Sequence, residues 1–538
     1  RSGFAGERPV LSLGGMRMRK GQAAPRRTQR SEPACLSSTR FRLRTAIALT
    51  LLLALAAAFL LLPRRTNAAP PATRGLTRSA AEPAYDVVIR NGRVMDPASG
   101  LDAVRNVGIR GGTIRAITAE PLSGRTVIDA KGLVVAPGFI DLHEHGQTPE
   151  NYAIKAADGC TTVLELEVGV ADLDSWYAAR AGKALINYGA SVGHIPVRML
   201  VMHDPGKFLP SGDAAHRAAT PAEIERMRQL IAHGLDRGAL AVGLGPAYTP
   251  AATNLEILEM FRVAARYQAS CHIHIRGSVP PVPGNFAGFE EAIADAAITG
   301  APLHIVHIQS TGGTDVVHEL DAIGRARARG LDVTAECYPY AHAMTMIESS
   351  LFDNKEKEPD SYFASLLWPA TGEYLTRETF IRYRKQGGPV ILPATTAKYV
   401  RDAVVNPLTM IASDGIITDG KGHPRGAGTY ARVLGRYVRL DHALTLMEAL
   451  RKMTIMPARR LERRDPAMRR KGRVQVGADA DITIFDPNTV IDRATYAQPA
   501  LHSAGIEYVL LNGVPVVREG KVVDGVFPGK GVRGPITK

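Results

Sequence analysis

The chain is short of three things, and each shortage narrows what it can be. Cysteine occurs four times in 538 residues, with no spacing that reads as a disulfide framework. Cys35 lies in the N-terminal segment, and Cys160, Cys271 and Cys337 each sit beside an apolar, strand-like stretch that suits packing. A cross-linked small scaffold is excluded, so stability must come from a core, which the length and 45% hydrophobic content allow. Acidic residues are scarce at one end only. Residues 1–67 hold 13 Lys or Arg against 2 acids, so +11 of the formal +14 charge belongs there. The remainder is nearly neutral, which removes the main argument for nucleic-acid binding. Lysine is absent between Lys207 and Lys355, so that stretch cannot supply a lysine-derived carbamate.

The basic end has its own explanation. After "RFRLR", residues 46–62 form an unbroken apolar run, "AIALTLLLALAAAFLLL", followed by "PRRTNAAPPA". Residues 1–69 are expected to be a leader, with Met16 or Met18 as candidate starts. As a helix the run reaches about 26 Å, short for a membrane span and long for a signal core. The small residues at 67–69 suit a signal peptidase. Cleavage near Ala68 or Ala69 would give a periplasmic or extracellular protein, and retention would give a single N-terminal membrane anchor.

Residues 70–83, "PPATRGLTRSAAEP", read as a linker. Beyond it, "YDVVIRNGRVMD" and "NVGIRGGTIRAI" are alternating strands with Asn-Gly and Gly-Gly turns, and "KGRVQVGADADITIFDP" and "IEYVLLNGVPVVREGKVV" repeat the pattern near the other end. Residues 84–138 and 465–529 are expected to build one small β-sandwich domain from both chain ends. Between them, residues 139–464 alternate short apolar runs ("TTVLELEV", "GALAVGLG", "ASCHIHIR", "PLHIVHIQ", "LDVTAECY", "LTMIASDG") with amphipathic stretches such as "PAEIERMRQLIAHGLD" and "NLEILEMFRVAARYQ". The fold class is α/β, a (β/α)8 TIM-like barrel, and its active site belongs at the carboxyl ends of the strands.

Those ends carry the chemistry. "PGFIDLHEHG" places His143 and His145 on one face of an extended segment and Glu144 on the other. "CHIHIRG" ends in His272 and His274, "LHIVHIQS" in His304 and His307, and "MIASDG" in Asp414. In each pair the residue nearer the strand end is favoured, hence His274 and His307. A lone buried histidine is commonly an ordinary core residue, but three strand ends together with His143 and His145 argue for metal. With lysine absent, "TTVLELEVG" offers Glu165 and Glu167 as a bridging carboxylate. Glu167 is nearer the end and is chosen, with Glu165 in a lower layer. A barrel carboxylate without a cation would be costly. Cys160 lies roughly 23 Å down an extended strand, too far to be a ligand.

The set "GFIDLHEHG", "HIRG", "VHIQ", "ASDG", "HPRGAGTYARVLGRYVR" and "RKMTIMPARRL" with "GRVQVGADADITIFDP" resembles the N-acyl-D-amino-acid deacylases of the amidohydrolase superfamily. The resemblance covers residues 85–529 and is most specific over 423–487. It implies a zinc hydrolase in which His143, His145, His274, His307 and Asp414 belong to the metal site, with Arg425 and Tyr338 binding a substrate carboxylate. Two departures stand out. Val168 occupies the place of the family's cysteine, with Glu167 beside it, and Gln309 stands where the family has a lysine for the substrate carboxylate. Residues 344–400, where relatives carry a lid, are unlike the usual sequence.

The expected activity is hydrolysis of the amide of an N-acyl amino acid, of D configuration, or of a dipeptide-like substrate, by water activated at one or two zinc ions. Asp414 serves as base and then acid. The partner is a small molecule carrying a carboxylate. Nucleic acid is not expected, and membrane contact comes only through an N-terminal anchor. The alternatives are a cyclic-amide hydrolase or dipeptidase on the same scaffold, or an inactive barrel that binds without catalysis.

Overall fold

The computed structural model describes residues 84–277, 284 and 286–537, so the leader, its apolar run and the linker lie outside the described residues. No helix among the described residues is long and apolar enough to cross a membrane.

Eight parallel strands form the central sheet: β1 (Phe139–Asp141), β2 (Cys160–Val170), β3 (Asn187–Gly193), β4 (Ala241–Leu244), β5 (Ser270–Ile273), β6 (Leu303–Ile305), β7 (Val333–Cys337) and β8 (Thr409–Ile411). They pair in chain order from β1 to β8. Sequence patterning finds seven of these eight. It misses β3, "NYGASVG", whose small residues carry little strand signal. Those residues are small because the chain is crowded there: a Cβ on Gly193 would lie 1.8 Å from the Val168 carbonyl oxygen.

The helices between the strands begin where their sequences say they should. Thr220 and Glu223 form a reciprocal capping box on the helix Pro221–Asp236, and Thr253 caps Asn254–Arg266. Their buried residues, Met227, Ile231 and Leu235 on the first and Ile257, Met260, Phe261 and Ala264 on the second, recur at three and four and face the sheet.

Both flanks of the chain meet in one nine-stranded sheet with its own apolar core. The strand Tyr85–Asp96 divides its partners. Its first half runs parallel to Gly124–Asp129 and its second half pairs with Val134–Pro137, which in turn pairs with Ile482–Phe485 near the other end. The last residues leave this sheet: Val532 donates to the Tyr188 carbonyl (2.7 Å) and Gly534 to that of Gly238 (2.9 Å), so the tail packs on the barrel. Residues 342–393 build a third, four-stranded antiparallel sheet with a core that includes Phe352, Phe363, Trp368 and Phe380.

The barrel has a seam. β1 and β8 share no regular ladder and are joined instead just beyond their ends, where Asp414 N donates to His143 O (2.7 Å) and His145 N to Gly415 O (2.8 Å). Beneath this seam Asp141 accepts from Ser413 N (3.1 Å), and Lys155, from the helix Pro149–Ala157, reaches Asp141 at 3.0 Å and Glu144 at 2.8 Å. All three charged side chains are fully buried. Burial, only partly offset by Lys155, raises the Glu144 carboxyl to about 7. Removing the cation would strand two buried carboxylates. Lys155→Met is expected to cost roughly 3–5 kcal/mol in chemical denaturation, and Asp141→Asn added to it should recover part of that loss. A Lys155→Met protein as stable as the parent would show that the seam does not depend on this cluster.

Candidate metal centre

The segment after β1 is extended and tethered on both sides, to Leu164 through Glu144 N (3.0 Å) and to residues 414 and 415 through its other amides and carbonyls. Alternation then fixes the side chains: His143 and His145 face the barrel mouth, and Glu144 turns away to Lys155. The opposite wall comes from β5 and β6, which deliver His274 and His307 just past their ends. His307 and Asp414 both adopt left-handed backbone, φ 31° and 53°, an uncommon conformation for non-glycine residues that here swings each side chain inward.

Glu167 lies between the two groups of imidazoles. Its Oε2 is 3.1 Å from His143 Nε2 and 3.2 Å from His145 Nε2, and its Oε1 is 2.9 Å from His274 Nδ1 and 3.6 Å from His307 Nε2. Asp414 Oδ1 is 3.5 Å from His143 Nε2 and 3.3 Å from His145 Nε2. Three overlapping sets could therefore hold a cation, with donor atoms within 4.8 Å of one another: His143, His145 and Glu167; His143, His307 and Asp414; Glu167, His274 and His307. Imidazole and carboxylate without thiolate suit a borderline divalent ion.

The electrostatics point the same way. Burial alone would make His143 and His145 less basic, but surrounding carboxylates, Asp414 and Glu167 for the first and Glu165 for the second, hold both imidazoles well above their ordinary range. Burial works to raise Glu167 and Asp414, yet His143 holds the first, and Arg425 with His143 the second, well below the usual carboxylate range. Acids kept ionised beside imidazoles kept protonated form a cluster in which a divalent cation can replace the protons.

A second layer orients the first. His145 Nδ1 is 2.7 Å from Glu165 Oε2, and Glu165 also accepts from Gly169 N (3.2 Å). Glu165, expected in a lower layer, lies outside the cavity lining and positions His145 from behind. His143 Nδ1 is 2.7 Å from Glu336 Oε1, whose other oxygen is 2.9 Å from His304 Nε2. Burial tends to raise Glu336, but hydrogen bonds from these two histidines pull it down to about 2. His272 stacks beside His304 with ring centroids 4.5 Å apart. Burial and the neighbouring His304 hold it well below its ordinary range. Glu336 is missed by the sequence reading. An acid inside the buried strand "VTAEC" carries the same signal that singles out Glu167.

Among the residues assigned to substrate, Arg425 lines the cavity over the cluster and lies 2.9 Å from Asp414 Oδ2. Its Nη2 donates to Met344 O (3.1 Å), and its guanidinium stacks 4.6 Å from the Tyr338 ring. Tyr338 is fully buried behind it. Gln309 is also fully buried, and neither its amide nitrogen nor its oxygen has a hydrogen-bond partner. The cavity walls are otherwise largely apolar, with Val168 from β2, Met344, Met346 and Pro389 from the third sheet, and Ile416.

Residues 204–212 bring Phe208 to 5.3 Å from the His145 ring, another contact that sequence does not reveal. Asp204 fixes this loop by accepting backbone N–H bonds from Gly206, Ser211, Gly212 and Ala214 at 2.9–3.0 Å.

Parallel strands, helices between them and histidines with acids at the mouth define a metal-binding (β/α)8 barrel. The amidohydrolase family model matches residues 134–523, and the chain belongs to that family. It is 33% identical over 479 residues to N-acyl-D-glutamate deacylase of Alcaligenes xylosoxydans xylosoxydans, covering 80% of this chain and 93% of that protein. The structure of N-acyl-D-glutamate deacylase from Bordetella bronchiseptica, complexed with zinc and a phosphonate inhibitor that mimics the reaction's tetrahedral intermediate, superposes with a TM-score of 0.71 at 28% identity. That match covers 84% of this chain and 100% of the other. A D-aminoacylase structure that addresses a binuclear metal centre gives 0.69 at 26% identity, over 84% and 100%.

Asp204→Ala should lose roughly 2–3 kcal/mol of local stability and expose the Lys207–Phe208 bond, so tryptic cleavage there should be faster than in the parent. Unchanged proteolysis would mean the loop is held by other contacts.

Proposed function

We propose that this chain deacylates N-acyl-D-amino acids, hydrolysing the amide with one or two zinc ions held by His143, His145, Glu167, His274, His307 and Asp414. The observation that carries the reading is Glu167, whose two oxygens face separate pairs of imidazoles, with Asp414 beside one pair. The family membership and the relatives' activity on N-acyl-D-glutamate support the reaction class. Bound zinc supplies Lewis acidity and lets water act as a nucleophile near neutral pH.

The side chains do the rest. Asp414 takes the proton that the attacking water loses and returns it to the departing nitrogen. Glu165 and Glu336 hold the imidazoles of His145 and His143 with their Nε2 atoms toward the centre. Apolar walls at Phe208, Met344 and Met346 exclude solvent from the cleft. The substrate carboxylate is taken by Arg425, sharing the guanidinium with Asp414, and Gln309 contributes a neutral amide. Export through the leader, to the periplasm or outside the cell, is proposed from its basic stretch, apolar run and small residues.

Two tests follow from this reading. Chelation should remove the metal and the activity together, and Glu167→Gln should lose metal and nearly all activity, whereas Glu165→Gln should weaken metal binding by about 10–100-fold. Equal metal content in both variants and the parent would remove Glu167 from the ligand set. The substrate test is a panel of N-acetyl-D- and N-acetyl-L-amino acids, their amides and cyclic amides. D-configured acids should be hydrolysed, with Arg425→Lys raising KM for them far more than for the amides, because Lys cannot reproduce a bidentate guanidinium contact. Gln309→Lys should improve the carboxylates selectively. An effect of Arg425→Lys confined to kcat and its pH profile would instead assign Arg425 to Asp414 alone, and exclusive action on cyclic amides would overturn the proposal.

A further inference from the structure

At the opposite end of the barrel lies a second cleft, of about 540 Å³, within the size range of small-molecule sites. It opens where the chain enters β7 and β8, near Asp332, Thr334, Pro407 and Leu408, and is closed on one side by the helices Leu446–Met453 and Ile455–Leu461. Six arginines line it: Arg327, Arg451, Arg459, Arg460, Arg463 and Arg469. Only two lining residues are acidic, Asp332 and Glu462.

Neither acid neutralises the group. Asp332 is held in a bidentate pair by Arg460 (2.8 and 3.0 Å) and lies 3.7 Å from Arg463, and Glu462 is taken by Arg473, outside the lining. Among the described residues Arg327, Arg459 and Arg469 form no salt bridge, and Arg451 has only the longer-range attraction of Glu448. The side chain of Arg460 is 4% exposed, and its Nε is buried without a hydrogen-bond partner. Arg327, Arg451, Arg459, Arg463 and Arg469 are exposed around a concave floor that includes Met410 and Met456, and together they present a positive field to an entering anion.

We propose that this cleft is a binding site for a small anion bearing two or more linked phosphate groups. Guanidinium groups match phosphate oxygens in bidentate geometry, and several unpaired ones arranged around a single cleft favour a linked polyanion over a lone phosphate. The site is separate from the metal centre and does not depend on the deacylase reading.

The test is calorimetric titration of the full chain with tripolyphosphate, using orthophosphate as the comparison. The basic N-terminal segment gives a background common to every variant, so the differences are read. Arg451→Gln combined with Arg459→Gln, and separately Arg463→Gln with Arg469→Gln, should each weaken tripolyphosphate binding at least tenfold. Arg90→Gln with Arg110→Gln, exposed on the nine-stranded sheet, should leave it unchanged. Equal binding by all of these proteins, or binding of orthophosphate as tight as tripolyphosphate, would overturn the proposal. So would variants that lose affinity only for anionic vesicles or DNA.

Discussion

The active end of this molecule depends on a buried ion cluster that touches no substrate. Lys155 lies between Asp141 and Glu144 where the first and eighth strands fail to form a ladder, and Asp141 accepts from the Ser413 N–H and Glu144 from its hydroxyl beside the backbone bonds that close the barrel. A barrel closed by loops rather than strands could breathe at that point, and the residues there are His143, His145 and Asp414. A hydrogen-bonded charge cluster resists such movement because opening it would strand charge in a low-dielectric interior. The same extended segment thus sends one carboxylate down to hold the seam and two imidazoles up to the mouth.

The centre itself is arranged by charge balance. Glu165, Glu167, Glu336 and Asp414 converge on four histidines and one arginine within a buried region. Without counter-charge such a group of acids could not remain ionised. Imidazoles supply part of that charge as protons, and a divalent ion supplies it more compactly. The second layer follows the same logic, since Glu336 divides its oxygens between His143 and His304 and so ties a mouth residue to the strand floor.

Much of this was legible in the sequence, and the remainder was hidden for physical reasons. Strands that are short apolar runs ending in His or Asp announce themselves, because burial and chemistry leave their marks within a few adjacent residues. β3 does not, since its requirement is for close backbone approach at Gly193, which leaves only small residues behind. The strand-end preference put His274 and His307 above His272 and His304 by simple geometry. The contact of Glu165 with His145 is not legible from alternation, which locates a Cβ and not the reach of a long side chain. Lys155 and Phe208 lie outside the barrel strands, and what they touch is decided by tertiary packing alone. The pairing of Arg425 with Asp414 belongs to the same class: the motif places both near the mouth, but only the fold brings them within 2.9 Å.

Positive charge is distributed unevenly over the folded barrel. At the mouth, Arg425 is the one Lys or Arg among the described residues lining the cavity, and it is already committed to Asp414. Gln309 is a buried neutral amide outside the cavity lining, and no lysine occurs over the long stretch that includes β4 to β7. If, as proposed above, Arg425 takes the substrate carboxylate, that carboxylate would compete with Asp414 for the guanidinium and loosen the ion pair that keeps Asp414 ionised. On that proposal, substrate binding and the basicity of Asp414 would be coupled through one side chain: a carboxylate that drew Arg425 away would raise the proton affinity of Asp414.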